Sequence, residues 1–125
     1  MSARPEEHVR NVYAMPKQEQ VAHEGKGSLR FCRPFHAKEL HSELDFVDFV
    51  EVPPGVSIGE HRHAADEEIY FVVSGNGRMT LEGDSFDVAK GDLIRNIPGG
   101  QHALVATGEE DLHLLVFDAR VRKDS

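Results

Sequence analysis

The chain has 125 residues, the length of one ordinary domain and too short for two separate hydrophobic cores. Charged residues make up 29% and hydrophobic residues 39%, which is typical of a folded domain and not of a disordered chain. The formal net charge is −8, whereas surfaces that bind the phosphate backbone of nucleic acids are normally basic, so we expect no nucleic-acid partner. The longest apolar run, Ile69 to Val73, is far shorter than a membrane-spanning helix, and we expect no membrane partner.

Residues 1–28 are mostly polar, and we predict that they form an N-terminal arm lying on the domain or on a partner chain. We place the domain at residues 29–120 and a short C-terminal tail at 121–125. The first residues, MSARPEE, lack the apolar segment of a secretory signal, and the one cysteine, Cys32, excludes an internal disulfide. Both features favour the reducing cytoplasm as the location.

From Leu29 onward, short apolar runs of strand length alternate with the turn-forming residues Gly, Pro, Asn and Asp. The runs are Leu29–Phe35, Phe46–Val52, Ser57–His61, Ile69–Val73, Arg78–Leu81, Ser85–Val88, Leu93–Ile97, His102–Ala106 and Leu112–Phe117. Such a series predicts an all-β protein, either a sandwich or a barrel. Only Ala37–Leu44 has a pattern that also allows a helix.

Two of these runs are apolar on both faces of the predicted strand. In Ile69–Val73 and in Leu114–Phe117 no polar residue interrupts the sequence. A strand in the wall of a monomeric barrel should instead alternate between apolar and polar residues. We therefore predict that the arm or another subunit covers the outer face, and we expect a homodimer.

Four residues of the metal-ligating types occur within this pattern of strands and turns. His61 and His63 are two positions apart on a predicted strand, so both imidazoles project from the same face. Glu68 begins the next apolar run after a short bend, and His102 follows a Pro-Gly-Gly turn. Three imidazoles and one carboxylate form a common ligand set for a divalent first-row metal.

The spacing of these residues resembles the cupin superfamily. The first cupin motif contains a glycine, His-x-His, a glutamate and a second glycine, and every spacing is satisfied by Gly55, His61, His63, Glu68 and Gly75.

The second cupin motif is matched less closely. It begins with Gly-Asp and leads through a Pro-Gly turn to a histidine, as do residues 91–102. The proline comes one residue late, and Ala106 stands where the family often has an asparagine. The resemblance covers residues 45–118. It implies an antiparallel jelly-roll barrel with one metal inside, ligated by His61, His63, Glu68 and His102, and dimers that pack through N-terminal strands.

This ligand set constrains the metal and its chemistry. An octahedral ion with four protein ligands keeps two open positions, which favours Fe, Mn or Ni in a catalytic role, while five-coordinate Zn also fits. With three neutral imidazoles and one carboxylate, a divalent ion retains a charge of about +1. Such a centre favours an anionic, bidentate oxygen ligand such as an enolate or a 2-oxo acid.

Two further residues are candidates for proton transfer. Neighbouring strand residues face opposite ways, so only one of Glu67 and Glu68 faces the interior, and the spacing to Gly75 selects Glu68. Tyr70 shares the face of Glu68. We predict Tyr70 and Glu67 as catalytic residues, with packing in the core as the alternative for Tyr70.

Arg78 and Arg95 are candidates for binding a substrate carboxylate, and the alternative for both is a solvated position on the barrel surface.

The sequence supports more than one class of function. We favour a metal-dependent enzyme acting on a small organic molecule, with either dioxygenase-type or isomerase- or cyclase-type chemistry. The alternative is a non-catalytic cupin that binds a small ligand or serves as an accessory subunit with a structural metal. The sequence does not decide between these, because one fold supports many activities.

Overall fold

The computed structural model describes residues 5–21, 25–62 and 66–122, and for residues 60–62 it describes the backbone alone. His63 and the side chain of His61 therefore lie outside the described part of the protein. The described ranges contain ten strands: β1 (Gln18–Gln20), β2 (Leu29–His36), β3 (Leu44–Val52), β4 (Ser57–Arg62), β5 (Asp66–Ser74), β6 (Asn76–Leu81), β7 (Asp84–Ala89), β8 (Leu93–Asn96), β9 (Gln101–Ala106) and β10 (Leu112–Arg120).

The strands form two antiparallel sheets that face each other as a jelly roll. The larger sheet has the order β1-β2-β3-β10-β5-β8, and the smaller has the order β4-β9-β6-β7. Each of the nine runs expected from the sequence coincides with one of the strands β2 to β10, so the all-β prediction is confirmed. Within the described ranges, no helix is long and apolar enough to span a membrane.

The structure departs from the sequence expectation in two short segments. The segment Ala37–Leu44 contains only a single 3-10 turn, Ala37–Glu39, and β3 already begins at Leu44. The arm contributes a strand that was not expected, since β1 pairs with β2. These three polar residues carry no periodic pattern, and their conformation depends on the free edge of β2.

The core lies between the two sheets and follows the period of two along each strand. In β10, Leu112, Leu114 and Val116 are buried, whereas the residues between them are half-buried. Val72 and Leu104 approach them from β5 and from the smaller sheet, and both are almost completely buried. Burying each such side chain stabilises the fold by about 1.5–3 kcal/mol.

The segment of the arm from Arg10 to Lys17 lies on the outer face of the larger sheet. Tyr13 packs edge-on against Phe49 of β3, with ring centroids 5.1 Å apart, and Lys17 places its ammonium 5.8 Å from the same ring. Phe49 is fully buried although it points away from the interior. The arm thus covers the β2–β3 side of this sheet. Near its other edge, Ile69 and Leu93 remain 36% and 68% exposed.

Gly75, the second glycine of the first motif, occupies a turn that excludes other residues. Its φ is +90°, and a Cβ built there would lie 2.6 Å from the carbonyl oxygen of Asp111. Gly83 has a similar φ of +86° but nothing within 4 Å of its Cβ position.

We expect Gly75→Ala to destabilise the protein more than Gly83→Ala does. Gly83→Ala should cost about 1–2 kcal/mol, because only the left-handed backbone conformation is penalised. Gly75→Ala should cost about 1–3 kcal/mol more, because the backbone of Asp111 and Leu112 at the start of β10 must also move. Urea unfolding followed by circular dichroism measures both values, and equal costs would contradict the close contact at Gly75.

Candidate functional site

One row of residues across the larger sheet places polar side chains inside the barrel. The register pairs Asp118 of β10 with Glu68 of β5, and Glu68 with Asn96 of β8. The three residues are 2%, 7% and 2% exposed. Neither side-chain atom of Asn96 has a hydrogen-bond partner among the described residues. A buried amide without a partner is costly, so this end of the interior is suited to a polar ligand or water.

The smaller sheet places His102 opposite this row. His102 of β9 is 1% exposed, and its Nε2 lies 3.4 Å from Oε1 of Glu68, so this contact joins the two sheets. In the register of β4 and β9, His61 is the direct partner of His102. The chain thereby brings the first and second motifs to the same level of the barrel.

Tyr70 lies at the next inward position of β5. Its ring packs edge-on against the imidazole of His102, with centroids 5.7 Å apart and an interplanar angle of 81°. Burial, and after it the charge and hydrogen bonding of Glu68, raise the pKa of Tyr70 well above its usual value. The phenol therefore keeps its proton at neutral pH and is suited to donate a hydrogen bond.

Three carboxyl groups meet at one end of this row. Ligand oxygens of Asp66, Glu68 and Asp118 all lie within 4.8 Å of one another. Burial, the hydrogen bond with Asp66 and the charges of Asp66 and Glu68 together raise the pKa of Asp118 to about 9. These crowded carboxyl groups therefore hold a proton among them at neutral pH in the metal-free protein.

An arginine and a buried aspartate form a second polar pair in the barrel wall. Arg33 Nε donates to Oδ1 of Asp48 at 2.7 Å, and its Nη2 donates to Oδ2 at 3.0 Å. Burial raises the pKa of Asp48, although the hydrogen bond from Arg33 opposes that shift. Asp48 is 7% exposed and is held by the bidentate geometry that guanidinium and carboxylate favour.

A cavity of about 140 Å³ connects the Arg33–Asp48 pair with Glu68 and Tyr70. Its walls include Arg33 and Asp48 from β2 and β3, and Glu68 and Tyr70 from β5. Ile58 of β4 contributes from the smaller sheet, so the cavity lies between the two layers.

The structure brings some of the residues predicted from the sequence together and separates others. Glu68, His102 and Tyr70 meet inside the barrel. Glu67 is on the opposite face of β5, beside Arg120 and Pro98 at the surface. For His61 only the backbone position is described, and His63 lies outside the described residues.

The two other arginines singled out from the sequence are at the surface. Arg78 forms an ion pair of 2.9 Å with Asp87, and Arg95 is exposed. This is the solvated position considered above as the alternative for both.

The sequence analysis did not identify four interior residues: Arg33, Asp48, Asn96 and Asp118. A usable pattern was present for three of them, since Arg33 follows Leu29 and Phe31 at steps of two. Asp118 follows Leu114 and Val116 at steps of two, and Asp48 stands between Phe46 and Val50 in the same way. A carboxylate at the apolar parity of a buried strand predicts an interior polar group.

Comparison with known proteins agrees with this architecture. Residues 48–118 match the cupin domain family, a segment that includes β5, β9 and both glycines of the first motif, Gly55 and Gly75. The chain belongs to the cupin family. The family accounts for the two-sheet barrel and for the meeting of the two motifs inside it.

Two curated proteins and one solved structure illustrate the relationship. An oxalate-binding protein of Thermotoga maritima is 29% identical over 91 residues, which are 73% of this chain and 75% of that protein. A 5-nitrosalicylic acid 1,2-dioxygenase of Bradyrhizobium is 30% identical over 66 residues, which are 53% of this cupin and 31% of the dioxygenase. A Thermotoga maritima structure described as a predicted oxalate decarboxylase has a TM-score of 0.87 at 24% identity and covers 90% of this chain and 99% of its own. This last likeness concerns the fold.

Proposed function

We propose that this cupin binds one divalent transition metal through His61, His63, Glu68 and His102, and that a small organic acid binds beside it in the barrel interior. One observation carries the proposal: the buried contact between Glu68 and His102, with His61 in register opposite His102. A carboxylate and an imidazole that face each other in a closed interior are suitable donors for such an ion.

The interior residues that the structure describes are suited to hold a divalent metal and a polar ligand. The uncompensated amide of Asn96, next to Glu68, supports a polar occupant of the interior. We favour Fe, Mn or Ni, with Zn as the alternative, since the ligand set is compatible with an open coordination position. When bound, the metal would supply Lewis-acid polarisation of a ligand oxygen.

The chemistry of the named relatives supports an organic acid as the ligand. One is called an oxalate-binding protein, and the other is named for its action on 5-nitrosalicylic acid. Both compounds are carboxylic acids with a second oxygen placed for bidentate contact. A residual positive charge at the centre would favour such an anion.

We expect metal and oxalate binding to be linked. Protein purified without chelator or nickel resin should contain about one metal ion per chain by elemental analysis. After metal removal, oxalate binding measured by calorimetry should fall at least about tenfold and should return on reloading with Mn²⁺. Oxalate binding of equal strength with and without metal would contradict the proposal.

A specific observation also favours an enzyme. Tyr70 is a protonated phenol in contact with both Glu68 and His102, and it is well placed to give a proton to a bound ligand oxygen. Either dioxygenase-type or isomerase- or cyclase-type chemistry fits this arrangement. Oxygen uptake by the iron-loaded protein with salicylate, reduced in Tyr70→Phe at full metal occupancy, would support the first. Ligand binding without turnover would leave a non-catalytic binding cupin.

We further propose that two copies associate through the outer face of the larger sheet. Ile69 and Leu93 are exposed there on neighbouring strands, on the side that the arm leaves uncovered. Burial of these apolar side chains against a second copy would be favourable. Light scattering tests this, since a dimer has twice the mass of one chain and a monomer would exclude the proposal.

A reducing, cytoplasmic location is also a proposal. Its support is Cys32, a buried free thiol whose pKa is raised by burial. Such a thiol is structural and not reactive. Fractionation of cells expressing the tagged protein tests the location.

A further inference from the structure

Arg33 lies at the mouth of the cavity that leads to Glu68 and Tyr70. All three side chains line the same space of about 140 Å³. The Arg33 side chain is 43% exposed, whereas Glu68 and Tyr70 are 7% and 3% exposed, so the arginine lies toward solvent and the other two lie inside. Among the described residues that line this cavity, Arg33 is the one cation.

The regular alternation of β2 points this arginine inward. Leu29 and Phe31 pack with the core, and Arg33 follows them at steps of two and meets Asp48 across the register with β3. A bulge follows at once: Cys32 pairs with Phe49 and Phe35 pairs with Val47, so Arg33 and Pro34 together oppose Asp48. The extra residue turns Phe35 to the outer face, where Arg10 of the arm contacts its ring, and Arg33 is thus the last inward residue before the bulge.

The Arg33 guanidinium is held in one orientation, but its contacts with Asp48 use only part of its N–H donors. Asp48 accepts from Nε and Nη2, and the ring of Phe46 covers one face at 4.0 Å. A guanidinium has five N–H donors, and in the described structure no acceptor other than Asp48 contacts this one. The edge formed by Nη1 and Nη2 keeps the geometry that binds a carboxylate through two parallel hydrogen bonds.

Stability alone does not account for this pair. Only the Asp48 side of this ion pair is buried, and burial raises the pKa of Asp48, a cost that the hydrogen bond from Arg33 offsets. Such a pair is often no more stabilising than apolar residues of the same volume. The pair lies among Phe31, Phe46 and Val50, where apolar packing was available. An oriented arginine is, by contrast, useful for recognising an anion.

We propose that Arg33 is a specificity-determining residue that binds a second carboxylate of the ligand. This inference rests on the proposed function for the inner end of the cavity, where the other end of the acid would bind. The ligand class is a compact dicarboxylate, because the cavity is well below the roughly 300–1,000 Å³ of sites for drug-sized molecules. Asp48 and Phe46 act as positioning residues that hold the guanidinium in place.

Matched pairs of acids test this assignment by calorimetry on the Mn²⁺-loaded protein. Malate and 2-hydroxybutanoate share one head group, and only malate has the second carboxylate. A second pair, 2-hydroxyglutarate and 2-hydroxypentanoate, is one carbon longer. It tests whether a longer acid is needed to reach from the inner end of the cavity to Arg33. In the wild-type protein we expect the dicarboxylate of at least one pair to bind about tenfold more tightly or better.

Variants of Arg33 should remove this preference, because they should weaken binding of the dicarboxylate much more than binding of the monocarboxylate. Arg33→Gln should bring the two affinities of a pair within about twofold of each other. Arg33→Lys should be intermediate, because lysine keeps the positive charge but cannot donate two parallel hydrogen bonds to a carboxylate. Since Arg33→Gln leaves Asp48 buried without its partner, the double variant Arg33→Gln/Asp48→Asn provides a second, charge-balanced test. Arg30→Gln is the control, because Arg30 is on the same strand but is paired with Glu51 and Asp111 on the outer face.

The outcomes separate this inference from the proposed function. Equal binding of both acids of each pair by the wild-type protein would overturn the role of Arg33 while the metal-dependent acid site stands. A preference that persists in Arg33→Gln and in Arg33→Gln/Asp48→Asn would overturn it as well. If no acid binds to the Mn²⁺-loaded protein, the proposed function fails and this inference fails with it.

Discussion

Metal occupancy should fall at least about tenfold in His102→Ala and in Glu68→Gln, measured by elemental analysis after purification without metal affinity resin. Each change removes one donor atom from the proposed centre, whose described part is the 3.4 Å contact between these two side chains. A loss of metal in Glu68→Gln could not be attributed to unfolding of the variant. The change removes one ionisable group from three crowded carboxyl groups, so it should stabilise the metal-free fold.

Glu67→Gln is the matched control for this experiment. It makes the same chemical change one residue earlier, on the face of β5 that points away from Glu68 and His102. We expect this variant to retain metal at the wild-type level. Full occupancy in His102→Ala and Glu68→Gln, or a loss confined to Glu67→Gln, would show that the ligand assignment is wrong.

The metal-free protein should become less stable as the pH rises from about 4 to about 9. The pKa of Asp118 is about 9 in the folded state and 3.8 as the reference value, so the folded state binds one proton more between these limits. The stabilising contribution of that proton is complete below the lower value and is lost as the pH approaches the upper one. The free energy of unfolding should fall by up to about 1.4 kcal/mol per pH unit from this group.

Asp118→Asn should remove most of that slope and should raise the stability of the metal-free protein at pH 8. The amide keeps the size of the side chain and cannot ionise beside Asp66 and Glu68. Urea unfolding followed by circular dichroism at several pH values measures the slope. Asp87→Asn, at a side chain 81% exposed, should leave the slope as in the wild-type protein. An unchanged slope in Asp118→Asn would assign the pH dependence to other groups.

Much of the fold was predictable from local patterns. All nine apolar runs became strands, because alternation and turn residues act over a few neighbouring positions. The same locality predicted that Glu68 and Tyr70 share a face and that Glu67 points away, as the burial along β5 confirms. The arm strand β1 and the absence of a helix after Ala37 were not predictable in this way, since both depend on neighbours distant in the sequence.

The sequence by itself therefore determined where the strands lie, which side chains of β5 share a face, and which family the chain resembles. All of these follow from the spacing of residues along the chain. Only the tertiary structure decided which polar groups meet inside the barrel. Asp118 joins Glu68 through the register of β10 with β5, and Arg33 faces Asp48 through the register of β2 with β3, just before a bulge that turns Phe35 outward. Register and bulges arise from the packing of whole sheets, so no local pattern encodes the pairing of these side chains.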